Sequence, residues 1–284
     1  MVTRRQVCSA LLALAVCPAY TAAHRLDDVE RDLAGGRLGF AALDLASGAM
    51  LVHRAHQRFA LCSTVKLPLV AAILADVHAG RINPDRMVRV GPQAAQARAP
   101  EVQAALPDGA LSIAALCAAT MIHSDNAAAN LLLPLVGGPA GLTRFMRAHG
   151  GGPTRLDRTE PALNTNLPGD RRDTTTPWAM LSLMRNLLGS AGLAPVQRER
   201  LAGWAVESRT GLARLRAGLP PTWRVGDKTG TGERGATNDV AIAWPAAGRP
   251  PVLMACYVDA PNVSPKERED AHCRAARIAA AVLV

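Results

Sequence analysis

The chain has 284 residues, 49% of them hydrophobic, with 32 Lys and Arg against 23 Asp and Glu and a formal net charge of +9. That length supports one large core or two intimately packed domains. The basic residues are scattered among acids and only 3% of residues are aromatic, so no basic run interleaved with aromatics points to nucleic acid.

At the N-terminus Arg4 and Arg5 precede an apolar run at 10–16, too short to span a membrane, and Thr21-Ala22-Ala23 offers small residues for cleavage. Residues 1–23 therefore read as a signal peptide. Thr3-Arg4-Arg5-Gln6-Val7 also resembles a twin-arginine signal, with ordinary secretion fitting as well. Losing the two arginines lowers the net charge from +9 to +7. No later stretch is long and apolar enough to span a membrane. The expectation is an exported monomer, periplasmic or secreted. Cys8 and Cys17 leave with the leader. The remaining Cys62, Cys117, Cys256 and Cys273 are too widely spaced to define a disulfide scaffold. With no Cys-x-x-Cys and no His-x-x-x-His, neither a metal nor a cofactor is expected.

Taken in order, 24–35 has apolar spacing at Leu26, Val29 and Leu33 and reads as a helix. Segments 38–45 and 50–53 read as a hairpin about Ala46-Ser47-Gly48. The apolar run 67–77 has the length and composition of a buried helix ending near Gly80. From 63 to 206 the character is helical, with Ala-rich helices at 111–122 and 127–136. A charged loop at 150–176 interrupts it, and loops of that length are functional or disordered. Helices resume at 178–188 and 195–204. From 222 the period changes to two, giving strands at 223–228, 238–244 and 252–258, then a closing helix at 266–284. Strands at both ends imply an α/β (α+β) fold. One antiparallel sheet is built from both chain ends and flanked by helices, with an all-α domain inserted. The expected division is 24–61 plus 207–284 for the first domain and 62–206 for the second.

Ser63 and Lys66 stand three residues apart at the head of the buried helix, so they share a face and the amine reaches the hydroxyl. Ser-x-x-Lys alone is a weak signal, since a cap serine followed by a surface lysine looks the same. Lysine usage strengthens it. The chain has only three lysines, Lys66, Lys228 and Lys266, and a buried lysine can shed its proton where arginine cannot. Three motifs follow in order: Ser124-Asp125-Asn126 between two helices, Glu160-Pro161-Ala162-Leu163-Asn164 in the charged loop, and Lys228-Thr229-Gly230-Thr231 at the end of a strand. Each has a dull alternative as a helix cap, a loop acid or a strand-end turn. All four in this order form a strong signal.

Ser-x-x-Lys, Ser-Asp-Asn and Lys-Thr-Gly are the shared signature of class A β-lactamases and penicillin-binding proteins. Over its whole mature length the chain resembles a class A serine β-lactamase, including Ala127 to Leu133, Asp173 to Pro177 and Gly232-Glu233-Arg234-Gly235. The resemblance implies a β-lactam substrate. Ser63 is then the nucleophile and Lys66 or Glu160 its activating base. Ser124 carries a proton to the leaving nitrogen, and Glu160 with Asn164 directs the deacylating water. The backbone amides of Ser63 and Thr231 form the oxyanion hole. Asn126, Lys228, Thr229, Gly230 and Thr231 bind substrate. The resemblance also implies that Arg158 pairs with Asp173 to clamp the Ω-loop, about 155–173, and that Glu160-Pro161 is cis. The chain departs from the family where an arginine often follows the Lys-Thr-Gly strand. Thr237 stands there, and Arg214 matches an alternative arginine. Carbapenem-hydrolysing relatives often pair a cysteine before the nucleophile with one just past Lys-Thr-Gly-Thr. Cys62 is present, but Gly232 occupies the partner's place. Two rivals are weighed: a penicillin-binding DD-peptidase, which shares the first, second and fourth motifs and needs no Glu160-Asn164 pair, and a penicillin sensor acylated without turnover, which would need a membrane anchor and a signalling partner.

Overall fold

A computed structural model describes residues 18–91, 98–106, 109–189 and 192–284. The first 17 residues of the expected leader lie outside them. After helix α1 (Pro18–Arg31), strands β1 (Arg37–Asp44) and β2 (Met50–His53) form the expected hairpin, with Gly48 at φ 77° in the turn. Three late strands, β7 (Arg224–Thr231), β8 (Ala236–Trp244) and β9 (Val252–Asp259), complete an antiparallel sheet of order β2-β1-β9-β8-β7. Both chain ends thus build one sheet, as the change of period implied.

Both faces of that sheet are covered, and the pleat sorts its side chains. Ala41, Leu43, Val240, Ile242, Leu253, Ala255 and Tyr257 face one core. Phe40, Ala42, Ala241, Ala243, Met254 and Cys256 face the other, against α1 and α10 (Pro265–Leu283). Burial on both sides explains why Val252–Asp259 reads as a near-continuous apolar run. Helix α10 starts at a capping box, in which Ser264 Oγ accepts from Glu267 N and the Glu267 side chain accepts from Ser264 N at 2.7 Å. It buries Ala271, Ala275, Ala276, Ile278 and Ala279 on one stripe.

Helix α2 (Lys66–His78) is the centre of the first core. Nine consecutive residues, Lys66 to Leu74, are buried, so this stretch is apolar all round apart from its first residue. Around it lie α4 (Ile113–Ile122), α5 (Asn126–Leu132), α6 (Gly138–Ala148), α7 (Pro177–Leu188) and α8 (Pro195–Val206).

The structure differs from the sequence reading at several boundaries. Helix α4 starts at Ile113, because Ser112 Oγ caps Ala115 N, and Ala110–Ser112 (β5) instead pairs with Met87–Arg89 (β4). Helix α5 stops at Leu132, before Pro134, and a 3₁₀ turn, Leu133–Val136, continues it. A short helix, α3 (Pro100–Ala104), and a two-residue ladder of β3 (Phe59–Ala60) on β6 (Thr174–Thr175) carry too little pattern to be read. Strand β7 runs through the Lys-Thr-Gly-Thr motif to Thr231 instead of stopping at Lys228. A further helical turn, α9 (Leu215–Gly218), precedes it.

Candidate active site

Ser63 lies in a 3₁₀ turn, Cys62–Val65, that runs directly into α2. Thr64 Oγ1 ties the turn back to Leu61 O at 2.6 Å. One turn later the fully buried Lys66 points its ammonium at the serine, with Nζ donating to Ser63 Oγ at 2.9 Å. The same Nζ lies 2.9 Å from Glu160 Oε1, 2.8 Å from Ser124 O, 2.5 Å from Asn126 Oδ1 and 3.4 Å from Ser124 Oγ. Three N–H donors therefore serve five oxygens. Burial pushes the Lys66 ammonium below its ordinary range, and the Glu160 charge pushes back. Burial would raise Glu160. The Lys66 charge and the hydrogen bonds from Lys66, Asn164 and Ser63 outweigh it and hold the carboxyl below its usual range. The pair is a buried ion pair, with Ser63 Oγ donating to Glu160 Oε1 at 2.9 Å.

Ser124 sits at the junction of α4 and α5 with φ 56°, a left-handed conformation that turns the chain between the helices. The cap in this motif is Asp125, whose Oδ1 accepts from Ala128 N at 2.8 Å. Asp125 Oδ2 accepts from Glu101 N and Val102 N. That leaves Ser124 and Asn126 facing the cleft. Ser124 Oγ accepts from Lys228 Nζ at 2.9 Å as well as from Lys66.

The loop that carries Glu160 is held from three sides. Asp173, fully buried, accepts from Asp157 N (2.7 Å), Arg158 N (2.9 Å) and Arg158 Nε (2.5 Å). Asn130 grips the main chain of Glu160 in both directions, accepting from its N at 3.0 Å and donating to its O at 2.9 Å. Asn164, in the 3₁₀ turn Ala162–Asn164, donates to Glu160 Oε2 at 2.5 Å. Its carbonyl accepts from Glu233 N at 2.8 Å, which joins the loop to the β7–β8 turn. The Glu160-Pro161 peptide is cis.

Strand β7 closes the cleft. A Cβ on Gly230 would stand 3.0 Å from Cys62 Cβ and 3.2 Å from Ser63 N, so only glycine lets the strand lie against the nucleophile's backbone. That contact sets Thr231 beside the Ser63 amide. Burial, then the charge of Lys66, drives Lys228 well below its ordinary value. Thr229 Oγ1 donates to Thr210 Oγ1 at 2.6 Å. Arg214 is buried under the strand pair. Its Nη1 donates to Gly230 O (3.0 Å) and Asn238 O (2.8 Å), and its Nη2 to Thr231 Oγ1 (2.8 Å). The guanidinium therefore reaches the cleft through the Thr231 hydroxyl. Below it, burial and then Asp227 push Asp239 well above the carboxylate range. Cys62 has no disulfide partner among the described residues, and a Cβ on Gly232 would lie 2.7 Å from its Sγ, so Gly232 does occupy the partner's place.

Ser63, Ser124, Asn126, Asn164, Thr229 and Thr231 line one cleft of about 40 Å³, with Lys66, Glu160 and Lys228 buried behind it. Sequence reading missed Arg98 and Thr210 on its wall and Asn130 behind Glu160. Asn130 stands one turn after Asn126 on the same helix, a spacing that could have marked it. Arg98 and Thr210 belong to no motif.

A serine hydrogen-bonded to a buried lysine–glutamate pair, with a strand-borne lysine close by on this α/β scaffold, is the equipment of serine acyl transfer. The family model Beta-lactamase enzyme family matches residues 21–283, and the chain belongs to that family. It is 40% identical over 284 residues to β-lactamase CTX-M-8 of Citrobacter amalonaticus, covering 98% of this chain and 96% of the relative. To the carbapenem-hydrolyzing β-lactamase KPC of Klebsiella oxytoca it is 46% identical over 255 residues, covering 88% and 85%. The crystal structure of a β-lactamase from Xanthomonas campestris superposes with a TM-score of 0.91 at 41% identity, over 95% of this chain and all of that one. The protein is thus a class A serine β-lactamase, which opens the β-lactam amide of antibiotics by hydrolysis.

Proposed function

We propose that Ser63 attacks the lactam carbonyl carbon while Glu160 takes its proton, with Lys66 holding both groups in place. The observation that carries this is the direct Ser63 Oγ to Glu160 Oε1 hydrogen bond at 2.9 Å beside an ammonium at the same distance. Backbone amides of Ser63 and Thr231 then receive the oxyanion, for which preorganised donors in a dry cleft are the largest stabilising influence. As the C–N bond breaks, Ser124 passes its proton to the ring nitrogen. Its hydroxyl accepts from two lysines and so has its own hydrogen free to give. Once acylated, Ser63 Oγ no longer donates. Lys66 gives a proton to Ser124 and takes from Glu160 the one it received from Ser63, so Glu160 is a carboxylate again. Its Oε1 is then free to accept from a water, which loses a proton to Glu160 as it attacks the ester carbonyl, and that proton returns to Ser63 Oγ as the ester bond breaks. Lys228, Thr229 and Thr231 take the substrate carboxylate and Asn126 its acylamino group.

Intact-protein mass spectra after a brief penicillin pulse test these roles. Glu160→Ala should still be labelled at Ser63, since Lys66 remains in reach. Its adduct should persist about a hundredfold to ten-thousandfold longer than the wild type's. Ser63→Ala should carry no adduct. A wild-type adduct as long-lived as the mutant's would remove Glu160 from deacylation.

Export as a monomer to the periplasm or medium completes the reading. It is supported by the basic start, the short apolar run at 10–16 and the absence of any helix among the described residues that could cross a membrane. N-terminal sequencing of the mature protein should begin just after Ala23. A start at Met1 would count against export by a cleaved leader.

A further inference from the structure

A cavity of about 810 Å³ lies behind the Ω-loop, away from Ser63. Its volume is within the range of small-molecule sites. Its wall includes residues 57–60 leading to Ser63, residues 166–171 of the Ω-loop, and Arg234 in the β7–β8 turn. Four arginines, Arg37, Arg58, Arg171 and Arg234, line it against two aspartates. Both aspartates are already engaged. Asp259 takes Arg37 at 2.7 Å and Asn166 at 3.0 Å, and Asp170 takes Arg172 at 2.9 Å and Arg158 at 3.7 Å. Among the described residues no carboxylate stands at ion-pairing distance from Arg58, Arg171 or Arg234.

We propose that this cavity is a second binding site, for a small molecule carrying two or more carboxylate or phosphate groups, held by Arg58, Arg171 and Arg234. Guanidinium groups are the side chains best suited to such oxyanions, and three of them on separate segments fit a multivalent anion better than a single charge. The positive crowding is visible at Arg58, which burial and then the charges of Arg171, Arg155 and Arg147 push below its ordinary range. The site also has a mechanical route to the cleft. Asn166 on its wall is two residues from Asn164, which holds Glu160, and its Nδ2 reaches Asp259 across the cavity. An anion bridging Arg171 and Arg234 ties the Ω-loop to the turn after the Lys-Thr-Gly strand. Binding stands apart from the hydrolase reading, while any effect on turnover rests on it.

Calorimetric titration of the full mature chain with citrate and, separately, with pyrophosphate, at ionic strength held constant with sodium chloride, tests the site without turnover. Saturable heat with either probe is expected, and the stronger probe identifies carboxylate or phosphate as the preferred group. Arg171→Ala/Arg234→Ala, two exposed positions whose side chains make no hydrogen bond or ion pair among the described residues, should weaken binding on the order of a hundredfold, about tenfold for each guanidinium. Hydrogen exchange at 166–171 should slow with the probe in wild type and not in the double variant. No saturable heat at millimolar probe, or undiminished binding to the double variant, would overturn the site. The latter would place the anion elsewhere, Lys228 included. Arg58→Gln serves as a third test, should the double variant prove unstable.

Discussion

Arg214 shows how a residue's role depends on where its donors are spent. One terminal nitrogen is committed to Gly230 O and Asn238 O, so the guanidinium braces the end of β7 against β8. The other donates to Thr231 Oγ1 and so places positive charge beneath the hydroxyl that we propose takes the substrate carboxylate. Replacing Arg214 with Ala should lower kcat/KM about tenfold to a hundredfold for substrates that carry that carboxylate, the range expected for a charge-assisted hydrogen bond of roughly 1.5–3 kcal/mol. Substrates lacking the carboxylate should lose much less. Equal losses on both would make Arg214 a brace for the strand and nothing more. Lys228 illustrates the same point. Its Nζ donates to Ser124 Oγ and to Thr229 O, which ties the serine proposed as proton carrier to the strand proposed to take the substrate carboxylate.

At the scale of elements, Asp173 holds together the two ends of the Ω-loop that carries Glu160. Asp173 accepts two backbone N–H groups and the Arg158 guanidinium, and its own carbonyl accepts from Leu61 N next to the nucleophile's turn. Asp173→Ala would leave Arg158 partly buried without its close partner and two backbone donors without an acceptor. Removing one member of a buried pair costs about 3–5 kcal/mol. The urea midpoint should fall accordingly, and the acyl-enzyme should live longer as Glu160 drifts from the ester. An unchanged acyl-enzyme lifetime would show that Asn130 and Asn164 hold Glu160 without the clamp.

Across the whole molecule, α10 and the sheet meet at His272, fully buried with Nε2 donating to Thr237 O at 3.0 Å. Burial, with Arg214 nearby, pushes its pKa down to about 3 from 6.5. The unfolded chain takes up a proton on this side chain near pH 6.5, while the native protein resists until about 3. Its contribution is therefore intact above pH 6.5 and is lost as pH falls through that window. The loss is about 1.4 kcal/mol per pH unit. Denaturation of wild type and His272→Gln from pH 7 to 4 should give a steeper decline for the wild type. Parallel curves would mean that the imidazole titrates normally.

Much of this protein was written in residue type and spacing alone. The i,i+3 pair Ser63 and Lys66 lies on one helical turn, so its contact follows from local geometry. The period-two strands and the buried run at 67–77 likewise follow from pleat and helix pitch. Four motifs in order were enough to single out Ser124, Glu160, Asn164 and Lys228, because their chemistry narrows the residue types allowed. What no local pattern could supply is the set of distances between them. Ser63 meets Glu160 across 97 residues of chain and Lys228 meets Ser124 across 104. The same holds for Arg214 braced under Thr231, for Asn130 gripping Glu160, for the β3–β6 ladder, and for the arginine-lined cavity behind the loop. Those contacts exist only because two cores pack on opposite faces of one sheet and bring remote segments within hydrogen-bond reach. Desolvation follows from the same packing. It depresses Lys66, Lys228 and His272, while the charge and hydrogen bonds gathered around Glu160 overcome it there, and no sequence spacing encodes either effect.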